Sequence, residues 1–188
     1  MNEVTQLLHQ VKDADRNALA RLLPLVHDEL RQLAAWQLRQ EHGPRTLLAT
    51  ALVHEAYSKM VSGGAIDAED RSHFLGIAAR AMRQILVDQA RTRKASKQGG
   101  DRVTTTLGDG DAAIDFDAAE MIALDDALEK LDARQRQVVE YRFFAGMDEK
   151  EIAAILGVTD RTVRRDWVKA RAWLYRALYP EQRSGESG

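Results

Sequence analysis

The stretch from Asp148 to Leu174, DEKEIAAILGVTDRTVRRDWVKARAWL, restricts the fold more than any other part of the chain. Two short segments of helical period flank Gly157. Ala153 falls where two helices would cross, and only a small side chain fits there. Gly157 falls where the chain must turn through positive φ, a conformation glycine adopts without steric cost. Ile152, Leu156, Val158 and Val163 supply apolar contacts between the helices, and Thr159 or Asp160 can cap the second one. A helix-turn-helix satisfies these positions together.

The second helix keeps its charges apart from its apolar side. Val163, Trp167, Ala170 and Leu174 share one face, whereas Arg161, Arg164, Arg165 and Lys169 lie toward another. A cationic helix presented in this way fits the DNA major groove. An ordinary solvated hairpin would carry basic residues without matching small, glycine and apolar positions. Asp166, among the arginines, is the one position that runs against the pattern.

Net charge is −2, which by itself does not point to nucleic acid. The distribution does. Six basic residues lie between Arg80 and Lys97 (Arg80, Arg83, Arg91, Arg93, Lys94, Lys97) against the single acid Asp88. Six more lie between Arg161 and Arg176, against Asp166 alone. Two basic patches on a slightly acidic chain imply two separate contacts with a polyanion. The chain has no cysteine, which excludes disulfides, thiolate metal sites and cysteine nucleophiles and fits a reducing cytoplasm. The N-terminus lacks a basic-then-apolar signal pattern. No apolar run approaches membrane-spanning length, so no membrane contact is expected.

Helical period runs through the whole sequence, and the expected fold class is all-α. A first helix is predicted near Val4 to Val11. A second starts after Asp15 as its cap and runs to about Arg39, with Pro24 kinking or splitting it. A third covers Thr46 or Thr50 to Met60, and a fourth runs from Ser72 to about Lys97. From Gln98 to Asp117 glycines, a threonine run and aspartates leave little to bury. The expected organisation is therefore an N-terminal helical domain over residues 1–97, a flexible acidic linker over 98–117, a C-terminal helix-turn-helix domain over 118–180 and a disordered tail over 181–188.

With both halves in view, the chain resembles the extracytoplasmic-function (group IV) sigma factors, the minimal two-domain form of the sigma-70 class. The C-terminal half carries the resemblance most specifically, through Leu128, Leu131, Arg134, Arg136, Val138, Arg142 and Phe143 ahead of the helix-turn-helix. ALVHEAYSKM and FLGIAARAMRQILVDQARTRK resemble the core of the family's N-terminal domain. The resemblance implies a protein that binds core RNA polymerase and directs promoter-specific transcription initiation. It implies −35 recognition through Arg161, Thr162, Arg164, Arg165 and Lys169, with arginine reading guanine and other cations holding phosphates. It implies −10 melting and capture of the separated strand near Arg80, Arg83, Arg91, Arg93 and Lys94, with a base pocket around the loop from Gly63 to Arg71. Anti-sigma factors join polymerase and promoter DNA among the implied partners.

One departure from the family pattern stands out. Where the family has acids ahead of its LVQE-like helix, to meet a basic coiled coil of the polymerase clamp, this chain has Leu48, Ala49, Thr50 and Ala51. The string Asp67-Ala68-Glu69-Asp70 sits after the helix, in the loop. A phosphoryl group on Thr50 would carry roughly −1.5 to −2 charge and would restore the missing charge at what reads as a helix start, where the dipole favours it. Activation by a Ser/Thr kinase at Thr50, with Thr46 second, is the resulting expectation, against a plain capping role for the Thr50 hydroxyl.

No catalytic residue, cofactor or metal is expected. His54-Glu55 matches half of a zinc-protease helix, but Ser58 stands where the second histidine belongs. Asp125 and Asp126 read as a polar helix face, and Trp36 as a core or interface residue. The alternative to a polymerase subunit is a stand-alone dimeric helix-turn-helix regulator, which has no need of the second basic helix. A plain protein-interaction module leaves the arginine-rich helix unexplained.

Overall fold

The computed structural model describes residues 3–12, 15–38, 45–63, 66–99 and 118–180. The expected linker from 100 onward and the expected tail lie outside these residues. Among the described residues the regular structure is helical throughout, as the periodicity predicts. In chain order it comprises α1 (Glu3–Lys12), α2 (Arg16–Leu38), α3 (Arg45–Ser62), α4 (Arg71–Gly99), α5 (Ala118–Glu129), α6 (Ala133–Val139), a π-helical segment (Glu140–Phe144), α7 (Glu149–Leu156) and α8 (Asp160–Leu178).

The first four helices bury one continuous core. Leu22, Val26 and Leu30 of α2, Leu52 and Val53 of α3, and Phe74 and Met82 of α4 are almost wholly inaccessible. Burying each such side chain contributes roughly 1.5–3 kcal/mol. This packing holds α2 in one piece. Asp15 caps it, accepting from the Asn17 amide at 2.9 Å. Of the two expected outcomes at Pro24, kinking or splitting, the split does not occur, because Pro24 lies inside an uninterrupted helix whose apolar face is buried on both sides of it. One missing backbone bond is outweighed by that burial.

Two departures bear on the N-terminal half. α3 begins at Arg45, so Thr50 lies in the second turn and does not cap the helix. Asp70 starts α4, accepting from the His73 amide at 2.8 Å, and Asp67 pairs with Lys12 at 2.6 Å. The Asp67–Asp70 string is therefore part of the loop's own structure.

The C-terminal half is built around Leu128, Val138, Ile152 and Val163. It does not stand apart from the N-terminal half. Met121 of α5 packs against the first core, and Leu75 of α4 packs against the second. The π segment forms much of the junction. Its Tyr141 ring lies so close to Gly76 of α4 that a Cβ there would sit 2.5 Å from a ring carbon. A glycine inside a helix costs about 1 kcal/mol relative to alanine, and here the approach of Tyr141 requires it. The Trp36 indole of α2 donates to the Phe143 carbonyl at 3.0 Å, so Trp36 is an interface residue. α4 runs to Gly99, slightly past the expected end.

Candidate nucleic-acid interface

The helix-turn-helix is fixed by its caps before any partner arrives. Asp148 and Glu151 form a reciprocal capping box at the start of α7, satisfying two backbone donors at once. Gly157 ends α7 with φ of 63°, the left-handed conformation expected from the sequence. Thr159 caps α8, accepting from the Thr162 amide at 3.2 Å, which resolves the choice between Thr159 and Asp160. Such a cap contributes about 1 kcal/mol.

α8 turns Val163, Ala170 and Leu174 into the core, together with Asp166. Arg161, Arg164, Arg165 and Lys169 are exposed, and Thr162 is half-buried. Asp166 is no misfit on this surface. Its carboxylate is buried and accepts from Arg134 Nε of α6 at 2.6 Å, which ties α8 to the helix before it. Arg165 reaches the same carboxylate more loosely, at 3.4 Å.

Arg164 is held by Glu149, the first residue of α7, through Nε at 3.1 Å and a terminal nitrogen at 2.7 Å. Arg142 of the π segment donates to the other carboxylate oxygen at 2.9 Å. The hydrogen bonds from Arg164 and then Arg142 hold the Glu149 carboxyl down at about 2. Arg142 also lies over the Trp167 ring, 4.8 Å from its centroid, and Trp167 packs between the two C-terminal clusters. Periodicity arguments singled out the cations and passed over Val168. It is 60% exposed and, at the helical spacing, lies between Arg161, Arg164 and Arg165. Its signal was a large apolar residue on an otherwise charged face.

The cations of α4 are placed differently. Arg83 is not on the surface. It is 5% exposed and forms an ion pair with Asp125 of α5, while its other terminal nitrogen donates to Glu140 of the π segment at 2.7 Å. In this arrangement it does not present itself to nucleic acid. Arg91 remains half-exposed and donates to Asp125 at 3.1 Å and Asp126 at 3.2 Å. Arg80 lies 3.9 Å from Glu140. Lys94 is exposed, and Arg93 lies on the helix with its side chain outside the described residues. Asp125 and Asp126 are therefore not an idle polar face. With Glu140 they pair with Arg83 and Arg91 and approach Arg80, leaving Arg80 and Arg91 half-exposed. The junction thus brings Arg80, Arg83 and Arg91 together, apart from the exposed cations of α8.

The loop before α4 supplies no open pocket at two of its positions, since Ile66 and Ala68 are buried. Where acids were missed ahead of the third helix's core, Ala49 is itself buried and Thr50 half-buried.

The sequence profile of the ECF sigma factors matches residues 1–179. No curated protein matches the chain. Among solved structures the chain is similar to CnrH in its complex with the cytosolic domain of CnrY, at 22% identity over 96% of this chain and 99% of that one, with a TM-score of 0.40. It is also similar to the sigma factor RpoE in complex with the anti-sigma factor NepR from Bartonella quintana, at 20% identity over 86% of this chain and 97% of that one, with a TM-score of 0.36.

Proposed function

The chain belongs to the ECF sigma factor family, and on that premise we propose that it binds core RNA polymerase in the cytoplasm and directs promoter-specific initiation. The observation that carries this reading is the outer face of α8. Arg161, Arg164, Arg165 and Lys169 project from a helix whose start, turn and buried side are all fixed. This face reads the −35 element. Arg164 leaves Glu149 for a guanine edge, Val168 packs on a thymine methyl and Arg161 and Lys169 hold phosphates. Thr162 and Arg165 flank the base contacts.

The basic face of α4 serves the −10 element. In the docked chain its partners are carboxylates of the C-terminal half, so docking and DNA binding compete for Arg80, Arg83 and Arg91. Polymerase binding, by holding the two halves apart, frees these cations for the displaced strand. Arg93 and Lys94 extend the same patch.

A finer part of the proposal is phosphoryl activation by a Ser/Thr kinase near the start of α3. The helix dipole acts within the first turn, so the start at Arg45 favours Thr46 on that count. Thr50 lies one turn farther along α3. An anti-sigma factor is the other regulator the family membership brings.

Co-purification with core polymerase, followed by run-off transcription on genomic fragments, tests the function. Initiation at a restricted set of start sites supports it. Tight duplex binding by a dimer with no requirement for polymerase supports a stand-alone regulator instead.

A further inference from the structure

Asp166 interrupts the cations of α8, and its carboxylate turns inward, 3% exposed. Taking a carboxylate out of water is costly unless it is paired, and this one is paired twice. Oδ2 accepts from Arg134 Nε of α6 at 2.6 Å, and Oδ1 accepts from Arg165 Nε of α8 at 3.4 Å. One buried acid thus joins two arginines that come from different helices.

Each arginine commits only its Nε to this pair. A guanidinium carries five donors, so the terminal nitrogens of both are left over, and among the described residues they hold no ion pair or hydrogen bond. Both side chains remain open, Arg134 at 46% and Arg165 at 56%. Groups bonded to the two oxygens of one carboxylate are separated by no more than that carboxylate and two hydrogen bonds. Two cations this close repel each other, and the buried carboxylate between them offsets the repulsion. The negative charge lies inside and the two positive charges face out, with one positive charge in excess.

A phosphodiester suits this arrangement. Arginine binds phosphate oxygens through pairs of N–H groups, and the diester offers two unbridged oxygens, one for each guanidinium. We propose that Arg134 and Arg165 grip a single backbone phosphate of duplex DNA, and that Asp166 is the positioning residue that assembles the site. The inference rests on the −35 reading of α8 and deepens it, because it adds a residue of α6 to that face and gives the buried acid a role in binding. Phosphate contacts set orientation on the duplex, so a phosphate held by both helices fixes the angle at which α8 enters the groove.

The test uses the full chain without polymerase and a labelled duplex of arbitrary sequence at low salt. Both arginines are open in the free chain, and a phosphate contact carries no sequence information. Fluorescence anisotropy across a salt series compares the parent chain with Arg134→Gln, Arg165→Gln, the double variant and Asp166→Asn, and thermal unfolding establishes that each is folded. If Arg134→Gln does not fold, Arg134→Lys takes its place, since lysine keeps a counter-charge for Asp166 but lacks the fork that reaches both acid and phosphate. Each single arginine variant should bind about tenfold more weakly, with a salt slope shallower by about one. The double variant should be no more than about twofold worse again, because both arginines act on one phosphate. Asp166→Asn removes a negative charge from a DNA-binding helix and should nonetheless weaken binding several-fold. Tighter binding by Asp166→Asn overturns the proposal, as do losses that multiply in the double variant, parent-like binding without Arg134, or no duplex binding by the parent chain. Run-off transcription, which tests the promoter reading, enters none of these outcomes, so the two stand or fall separately.

Discussion

Arg83 and Glu140 meet at 2.7 Å across the junction of the two halves, and both side chains are almost wholly buried. The pair joins the middle of the basic helix α4 to the π segment that precedes the helix-turn-helix. Asp125 closes the same guanidinium from α5. A buried ion pair is weak evidence of net stabilisation, but removing one partner strands the other.

Arg83→Met should therefore destabilise the chain by about 3–5 kcal/mol, since it leaves Glu140 and Asp125 without their main cation. Equilibrium urea unfolding measures it. The triple change Arg83→Met, Glu140→Leu and Asp125→Leu should recover most of that loss, because an apolar cluster of similar volume needs no counter-charge.

Gly76→Ala separates packing within a half from packing between halves. Alanine is the better helix former by about 1 kcal/mol, so α4 itself is not weakened. The new methyl has no room against Tyr141. The halves should come apart, seen as a larger radius of gyration in solution scattering and faster hydrogen exchange at the π segment. Association with core polymerase should become faster, because the cost of undocking is removed.

On the outer face of α8, Arg164→Ala should reduce −35-dependent transcription and relax preference at one base pair by about 1–3 kcal/mol. Val168→Ser should weaken preference at a thymine with little change in salt dependence. Lys169→Ala should lower affinity for all sequences and make the salt slope shallower by about one. Competition binding across a promoter library, repeated at two salt concentrations, distinguishes the three.

Glu149 gives the helix-turn-helix a defined acid response. Its folded-state value of about 2 lies below the ordinary 4.5. A depressed carboxylate stabilises the fold fully above its unfolded value and loses that contribution as pH falls toward the folded one. Thermal stability should fall between about 4.5 and 2 through this group, and Glu149→Gln should flatten that part of the profile. Arg164, held less tightly without the Glu149 charge, should also engage the −35 element at lower cost, raising affinity there in the same variant.

Thr50→Ala checks the finer regulatory reading. If a phosphoryl group at Thr50 supplies charge for the polymerase contact, kinase-dependent activation should disappear in this variant while −35 preference is unchanged. Persistence of activation in Thr50→Ala and its loss in Thr46→Ala would move the site to the first turn of α3.

The parts legible in the sequence are those with local causes. Helical period follows from burying one face, so α1 to α4 and the helix-turn-helix fall where the apolar spacing puts them. Gly157, Thr159 and Asp15 act within a few residues of their own position, and turn and cap chemistry is short-range. Arg83 reads as surface cation because the carboxylates that bury it are 42 and 57 residues away. Asp166 reads as a misfit because Arg134 is 32 residues distant. Pro24 leaves a split open in the sequence for the same reason, since the core that keeps α2 whole is assembled largely from other helices. The π segment has no periodic signature, and its placement rests on Tyr141 finding Gly76.

In the proposed function α4 and α8 engage one promoter while polymerase holds both. Photo-cross-linking groups placed at Lys94 and at Val168 test it most directly, in complexes assembled on a single labelled promoter. Position 94 is expected to attach to the −10 region and position 168 to the −35 region of the same DNA, and the position-94 product to require core polymerase. Cross-links from both positions to duplex DNA without polymerase, or none from position 94 in an initiating complex, would contradict it.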